Sequence, residues 1–222
     1  MQNIYDDPEF FRGYADQRER SGSLNELLDL PTIRALLPAL RGKDVVDLGC
    51  GMGPNSEYAA EQGARSVLGL DISEKMLAQA LRRNPAPEVI TYARLPIEEF
   101  EGDAQFDVAL SSLALHYIAG YRDLVVRIAA ALRPGGHFIF SVEHPVLTSK
   151  GGYRDEGERR NAWIVENVLG YHRTFSGYVQ PLIESGFLLE RVVEPGVPAD
   201  FENQDFFPPH SAPFLYIRSR KA

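Results

Sequence analysis

Short apolar runs alternate along this chain with longer stretches of helical period. Val45 and Val46, closed by Asp47 and Leu48, form the first run, and residues 66–70, 89–93, 105–110 and 137–142 repeat the pattern. Runs of this kind read as strands buried on both faces of a parallel sheet. Two more follow at 187–193 and 212–218. Between them lie helices. Pro54 is placed as the first residue of one that Gly63 stops. Ser73 reads as the N-cap of another, running to Arg83. Residues 121–132 carry Leu124, Val125, Ile128 and Leu132 on one face and end at Arg133-Pro134-Gly135-Gly136. Residues 175–185 form a further helix, ended by Gly186. Ahead of the first strand, a helix starts near Pro8, Ser23 and Glu26 have capping-box spacing, and Pro31 opens a helix over 32–40. Strand and helix in alternation predict an α/β fold: a doubly wound, Rossmann-like sheet with helices on both faces.

The most informative stretch is 44–71. Its first strand ends in Asp47-Leu48-Gly49-Cys50-Gly51-Met52-Gly53, a helix follows, and the second strand ends in Asp71. Glycines 49 and 51 let the turn bend sharply and leave bare backbone for a ligand. The helix start presents unpaired N–H groups. An acid closing the second strand can accept hydrogen bonds from two neighbouring hydroxyls, as on a ribose. The dinucleotide fingerprint G-x-G-x-x-G would need glycine at 54, where Pro54 stands. An acid just before the glycines suits a cofactor with a cationic end better than one with a pyrophosphate.

The pattern Asp47-x-Gly49-x-Gly51-x-Gly53 resembles the first motif of the class I S-adenosylmethionine (SAM)-dependent methyltransferases. Asp71 matches that family's acidic second motif. Asp71-Ile72-Ser73-x-x-Met76-Leu77 and Leu132-Arg-Pro-Gly-Gly-His-Phe-Ile-Phe-Ser141 are similar to it as well, so the resemblance covers 44–142. It implies a seven-stranded sheet whose last strand returns antiparallel between the fifth and sixth. It also implies SAM as cofactor, with S-adenosylhomocysteine as product, and transfer of a methyl group by in-line displacement to a small-molecule acceptor. A SAM-binding protein without activity and a nicotinamide-dependent oxidoreductase are the alternatives; Pro54 speaks against the second.

The resemblance assigns the cofactor site to Asp47, Gly49, Cys50, Gly51, Asp71, Ile72, Met76, Ser111 and Ser112, with Tyr14 and Arg18 reaching it from an N-terminal cap. One departure stands at Pro96, where the family often has an aspartate for the adenine amino group. Adenine recognition then falls to backbone near Leu95 and Ile97, or to Glu98. Three histidines are candidate general bases, in the order His144, His116, His172. His144 has an alternative role as a histidine that hydrogen-bonds locally to hold the loop. Residues 146–174 are polar with little periodicity, which predicts a lid or acceptor-pocket loop; Trp163, Tyr171, His172 and Arg173 stand out in it.

Composition adds limits. The chain has 222 residues, enough for a single domain: a cap over 1–42, a SAM-binding core over 43–145, the 146–174 insertion, and closing strands over 175–222. A net charge of −8 argues against a nucleic-acid partner held by phosphate contacts. One cysteine excludes an internal disulfide and a cysteine-built metal site, so no metal is expected. The acidic N-terminus lacks an apolar signal region, and no apolar run is long enough to span a membrane. The expected location is cytoplasmic, with no membrane partner, and a homodimer is the default expectation for assembly.

Overall fold

The structure, a computed structural model, describes residues 3–19, 22–161, 167–199, 201 and 211–222, without the side chains of 15–19 and 161. Its centre is a seven-stranded sheet built from β1 (Asp44–Leu48), β2 (Ser66–Asp71), β3 (Ile90–Arg94), β4 (Phe106–Ser112), β5 (Leu132–Glu143), β8 (Phe187–Val193) and β9 (Phe214–Lys221). The spatial order is β3-β2-β1-β4-β5-β9-β8. The first five strands are parallel, and β9 runs antiparallel to both β5 and β8. A separate hairpin joins β6 (Gly157–Asn161) to β7 (Val168–His172).

Among the described residues, seven α-helices accompany the strands: α1 (Pro8–Glu19), α2 (Leu30–Leu36), α3 (Pro54–Glu61), α4 (Glu74–Arg83), α5 (Tyr121–Ala131), α6 (Pro145–Thr148) and α7 (Phe175–Glu184). One face of the sheet buries Leu124, Val125 and Ile128 of α5 and Leu182 of α7. The other buries Ile33 and Leu36 of α2 and Ala59 of α3. The strand order reverses between β1 and β4, so their carboxyl ends flank the crevice where ligands bind in such sheets.

The structure departs from the pattern reading in three places. The helix expected over 32–40 stops at Leu36, because Leu37 is extended (ψ 143°) ahead of Pro38; on its other side a π-helical turn, Asn25–Asp29, runs into α2. The Arg133-Pro134-Gly135-Gly136 stop lies inside β5, where the ladder to β4 is interrupted between Phe106 and Val108. The 146–174 segment is not a continuous loop, since it holds α6 and the hairpin. The hairpin escaped the hydrophobic pattern because the buried positions of β7 are Val168, Gly170 and His172, of which only the first is apolar and bulky.

Candidate functional site

The turn after β1 folds back on β2. The Gly49 and Cys50 N–H groups both donate to the Leu70 carbonyl, at 2.8 and 2.9 Å. Gly49 has φ +74°, and a Cβ there would lie 2.5 Å from the Ala114 Cβ. Gly51 has φ +56°, and a Cβ there would meet nothing within 4 Å. The first glycine is thus demanded by the fold. The second leaves open space against bare backbone.

Two acids border this space. The Gly51 N–H donates to Asp71 Oδ2 (2.9 Å) and the Ser73 N–H to Asp71 Oδ1 (2.8 Å). Each carboxylate oxygen keeps a lone pair for a further donor. Asp47 is 1% exposed and accepts from the Ser56 hydroxyl at 2.7 Å. Burial pushes Asp47 up to about 7, with the charge of Asp71 adding to it. Burial also raises Asp71. A cation at Asp47 and a pair of hydroxyls at Asp71 would relieve both. The donor set, with the open backbone at Gly51, fits a nucleoside carrying an ammonium group. Cys50 is buried beside the acids, and its thiol is raised by burial and by their charges.

The remaining residues expected at the cofactor divide. Ser73 caps α4 by accepting from the Met76 N–H (3.1 Å). Met76 itself is covered by protein. The Ile72 carbonyl accepts from Arg94 Nε at 3.1 Å. The Leu95 N–H is committed to the Asp71 carbonyl (3.1 Å), whereas Ile97 opens a 3-10 turn, Ile97–Glu99. Ser111 donates to the Leu48 carbonyl (2.8 Å) and Ser112 to Asp29 (2.5 Å), so both hydroxyls are occupied. Tyr14 packs edge-on against Tyr5, with ring centroids 5.3 Å apart. The side chain of Arg18, and Trp163, lie outside the described residues.

Three residues that the sequence did not single out join the N-terminal segment to this edge. Asp6 accepts from the Ser73 hydroxyl (2.6 Å) and the Lys75 N–H (3.1 Å) at the start of α4. These bonds draw its carboxyl below the ordinary range against the opposing effect of burial. Tyr5 and Tyr117 place their hydroxyls 3.3 Å apart. Asp29, fully buried, accepts from Ser112 and from Ser141 (2.7 Å) at the ends of β4 and β5. Only the capping preference of Asp6 has a local signal, and its partner lies 67 residues away.

The three histidines have different surroundings. His144 Nε2 is 2.8 Å from Glu194 Oε1, and its Nδ1 accepts from the Val146 N–H (3.2 Å) as the N-cap of α6. His172 Nδ1 meets the Thr148 hydroxyl (2.7 Å) and its Nε2 the Tyr153 carbonyl (2.9 Å). Both rings are held at two points. His116 is 5% exposed, and its Nδ1 is buried with no hydrogen-bond partner among the described residues. Burial lowers its pKa, Arg173 adds to that, and Glu143 opposes it, so the ring is neutral near pH 7.

Residues 46–140 match the profile of a methyltransferase domain. The chain is 36% identical, over 99% of its length and 97% of the relative's, to an uncharacterised protein of Haemophilus influenzae. It is 35% identical to a crystallised S-adenosylmethionine-dependent methyltransferase of Mesorhizobium loti, with a TM-score of 0.79 over 90% of this chain and 99% of that one. It is 27% identical to the 1,6-didemethyltoxoflavin-N1-methyltransferase of Burkholderia thailandensis, solved with 1,6-didemethyltoxoflavin and S-adenosylhomocysteine bound; the TM-score is 0.66 over 96% and 86% of the chains.

Proposed function

This chain belongs to the S-adenosylmethionine-dependent methyltransferases, and from that premise we propose that its acceptor is a small molecule and that His116 is its general base. When bound, the cofactor would supply an electrophilic methyl group for in-line transfer to the acceptor's nucleophile, with S-adenosylhomocysteine as the leaving group. Asp71 would hold the ribose hydroxyls, Asp47 the ammonium group, and Gly51 would let the cofactor lie against backbone. Positioning supplies much of the rate, and a base is needed only where the nucleophile arrives protonated.

The observation that carries the small-molecule reading is the covering of the carboxyl edge at Tyr117. The N-terminal segment reaches it through Tyr5, and β7 packs against the 115–117 turn. An edge covered by two segments suits a compact acceptor. The net charge of −8 weighs in the same direction. His116 replaces His144 at the head of the candidate bases because its Nδ1 is uncommitted, whereas both nitrogens of His144 are engaged.

Two measurements test this. S-adenosylhomocysteine at about 100 times its dissociation constant should stabilise the protein by about 2.7 kcal/mol, and NADH should not. Release of S-adenosylhomocysteine from SAM is then screened against small-molecule acceptors, RNA, DNA and protein. Turnover confined to a macromolecule would overturn the acceptor class. With an acceptor in hand, His116→Ala should cut turnover about 10²–10⁴-fold at unchanged SAM affinity, while His144→Ala leaves turnover near the wild-type value.

A further inference from the structure

Arg173 lies between β7 and α7, 8% exposed. Its guanidinium sits over three rings, with centroids at 5.3 Å (Tyr121), 5.7 Å (Tyr178) and 5.8 Å (Tyr171). Nη2 donates to the carbonyls of Ile118 and Ala119 in the connection from β4 to α5. Nη1 is buried and has no hydrogen-bond partner among the described residues. No carboxylate among them lies within ion-pair distance of the guanidinium. Glu156 feels its charge but accepts from the Thr174 N–H (2.8 Å) and hydroxyl (2.6 Å) instead. The Tyr178 hydroxyl lies within hydrogen-bonding reach of the guanidinium, but burial pushes that phenol up to about 12, so it is neutral and supplies no counter-charge.

A buried cation with no ion-paired carboxylate among the described residues is costly, and a buried guanidinium nitrogen without an acceptor adds to the cost. His116 repeats the pattern close by. Its Nδ1 is also buried and unpartnered among the described residues, and the charge of Arg173 reaches the ring. Glu143, at the end of β5, acts on His116, Tyr117 and Tyr178. The region is therefore polarised, with its positive end at Arg173.

We propose that Arg173 is the anchoring residue of the acceptor subsite, and that the acceptor carries a carboxylate which Arg173 Nη1 binds while its nucleophile lies toward His116. Nη1 holds two N–H donors, and a carboxylate supplies both the acceptor oxygens and the missing charge. This rests on the small-molecule reading above and names the substrate class of the same site. Arg173 is a binding residue here and takes no part in the chemistry.

The test uses the full chain saturated with S-adenosylhomocysteine. Matched pairs of small carboxylates and their primary amides, spanning aliphatic, phenyl and indole bodies, are titrated by calorimetry and by ligand-observed NMR. At least one carboxylate should bind tenfold or more tightly than its amide. Arg173→Lys and Arg173→Gln should each lower that affinity at least tenfold while S-adenosylhomocysteine affinity stays within twofold. Equal binding of acids and amides, or no carboxylate binding at all, overturns the inference on the wild-type protein alone, whether or not the variants fold. Carboxylate affinity unchanged in a folded variant overturns it too. Failure of S-adenosylhomocysteine to bind the wild type would instead sink the cofactor assignment, before the acceptor is reached.

Discussion

Replacing Gly49 and Gly51 by alanine separates a glycine required for folding from one required for the ligand. At Gly49 the new Cβ takes a left-handed backbone (φ +74°) and lies 2.5 Å from the Ala114 Cβ and 3.1 Å from Ile97 Cδ1. Ala114 has no torsion that moves its Cβ aside, so the backbone must shift. The left-handed conformation costs roughly 1–2 kcal/mol, and overpacking typically adds about 1–3 kcal/mol. Gly49→Ala should therefore destabilise the protein by about 2–5 kcal/mol, or about 4–20 °C in Tm at this size. At Gly51 the Cβ meets nothing, so only the conformational cost of roughly 1–2 kcal/mol applies. That is about 2–8 °C. The same Cβ projects into the open space beside the Gly51 N–H, which Asp71 accepts, so Gly51→Ala should weaken S-adenosylhomocysteine binding at least tenfold, or about 1.4 kcal/mol. The assay is thermal and urea unfolding of the ligand-free variants, followed by calorimetric titration. Wild-type affinity in Gly51→Ala would refute the cradle. Equal loss of stability in both variants would refute the division of roles.

Two further predictions concern pH. The folded-state pKa of Asp47 is raised to about 7, so between the ordinary carboxylate range and pH 7 the folded chain holds a proton that the unfolded chain has released. Its contribution to stability then falls as pH rises through that window. A cofactor ammonium must draw this proton off, so S-adenosylhomocysteine affinity should rise between about pH 6 and 8, with proton release seen by calorimetry in buffers of different ionisation heat. Asp47→Asn should flatten the profile, and a flat wild-type profile would count against Asp47 as the ammonium partner. At the opposite edge of the sheet, Arg65, with Ser66 and Arg133, holds Asp44 well below the ordinary carboxylate range. Its stabilisation is present above that range and is lost as pH falls through the depressed value. Urea midpoints followed below about pH 4 should therefore drop less steeply in Asp44→Asn; an identical acid slope would remove Asp44 from the account.

The central α/β order and the acid-framed glycine turn were legible from the chain because they rest on short-range rules. A buried parallel strand is a run of apolar residues, and a turn that crosses into left-handed backbone needs glycine. Asp47, Gly49, Gly51 and Asp71 fall within 25 residues of one another, so they could be read together as one candidate site. The antiparallel place of β9 followed from family resemblance alone, since no local pattern states which strands pair. Nor does any local pattern state which polar atoms are already satisfied. Ser112 meets Asp29 across 83 residues, His144 meets Glu194 across 50, and Arg173 meets the Ala119 carbonyl across 54. Three histidines that the sequence ranks His144, His116, His172 thus part company in the fold: two have both ring nitrogens engaged, and His116 Nδ1 has no partner among the described residues. Residue type and spacing determined which chemistry this chain carries. Burial and long-range hydrogen bonding, which exist only once distant segments meet, decided which of those groups stay available to use it.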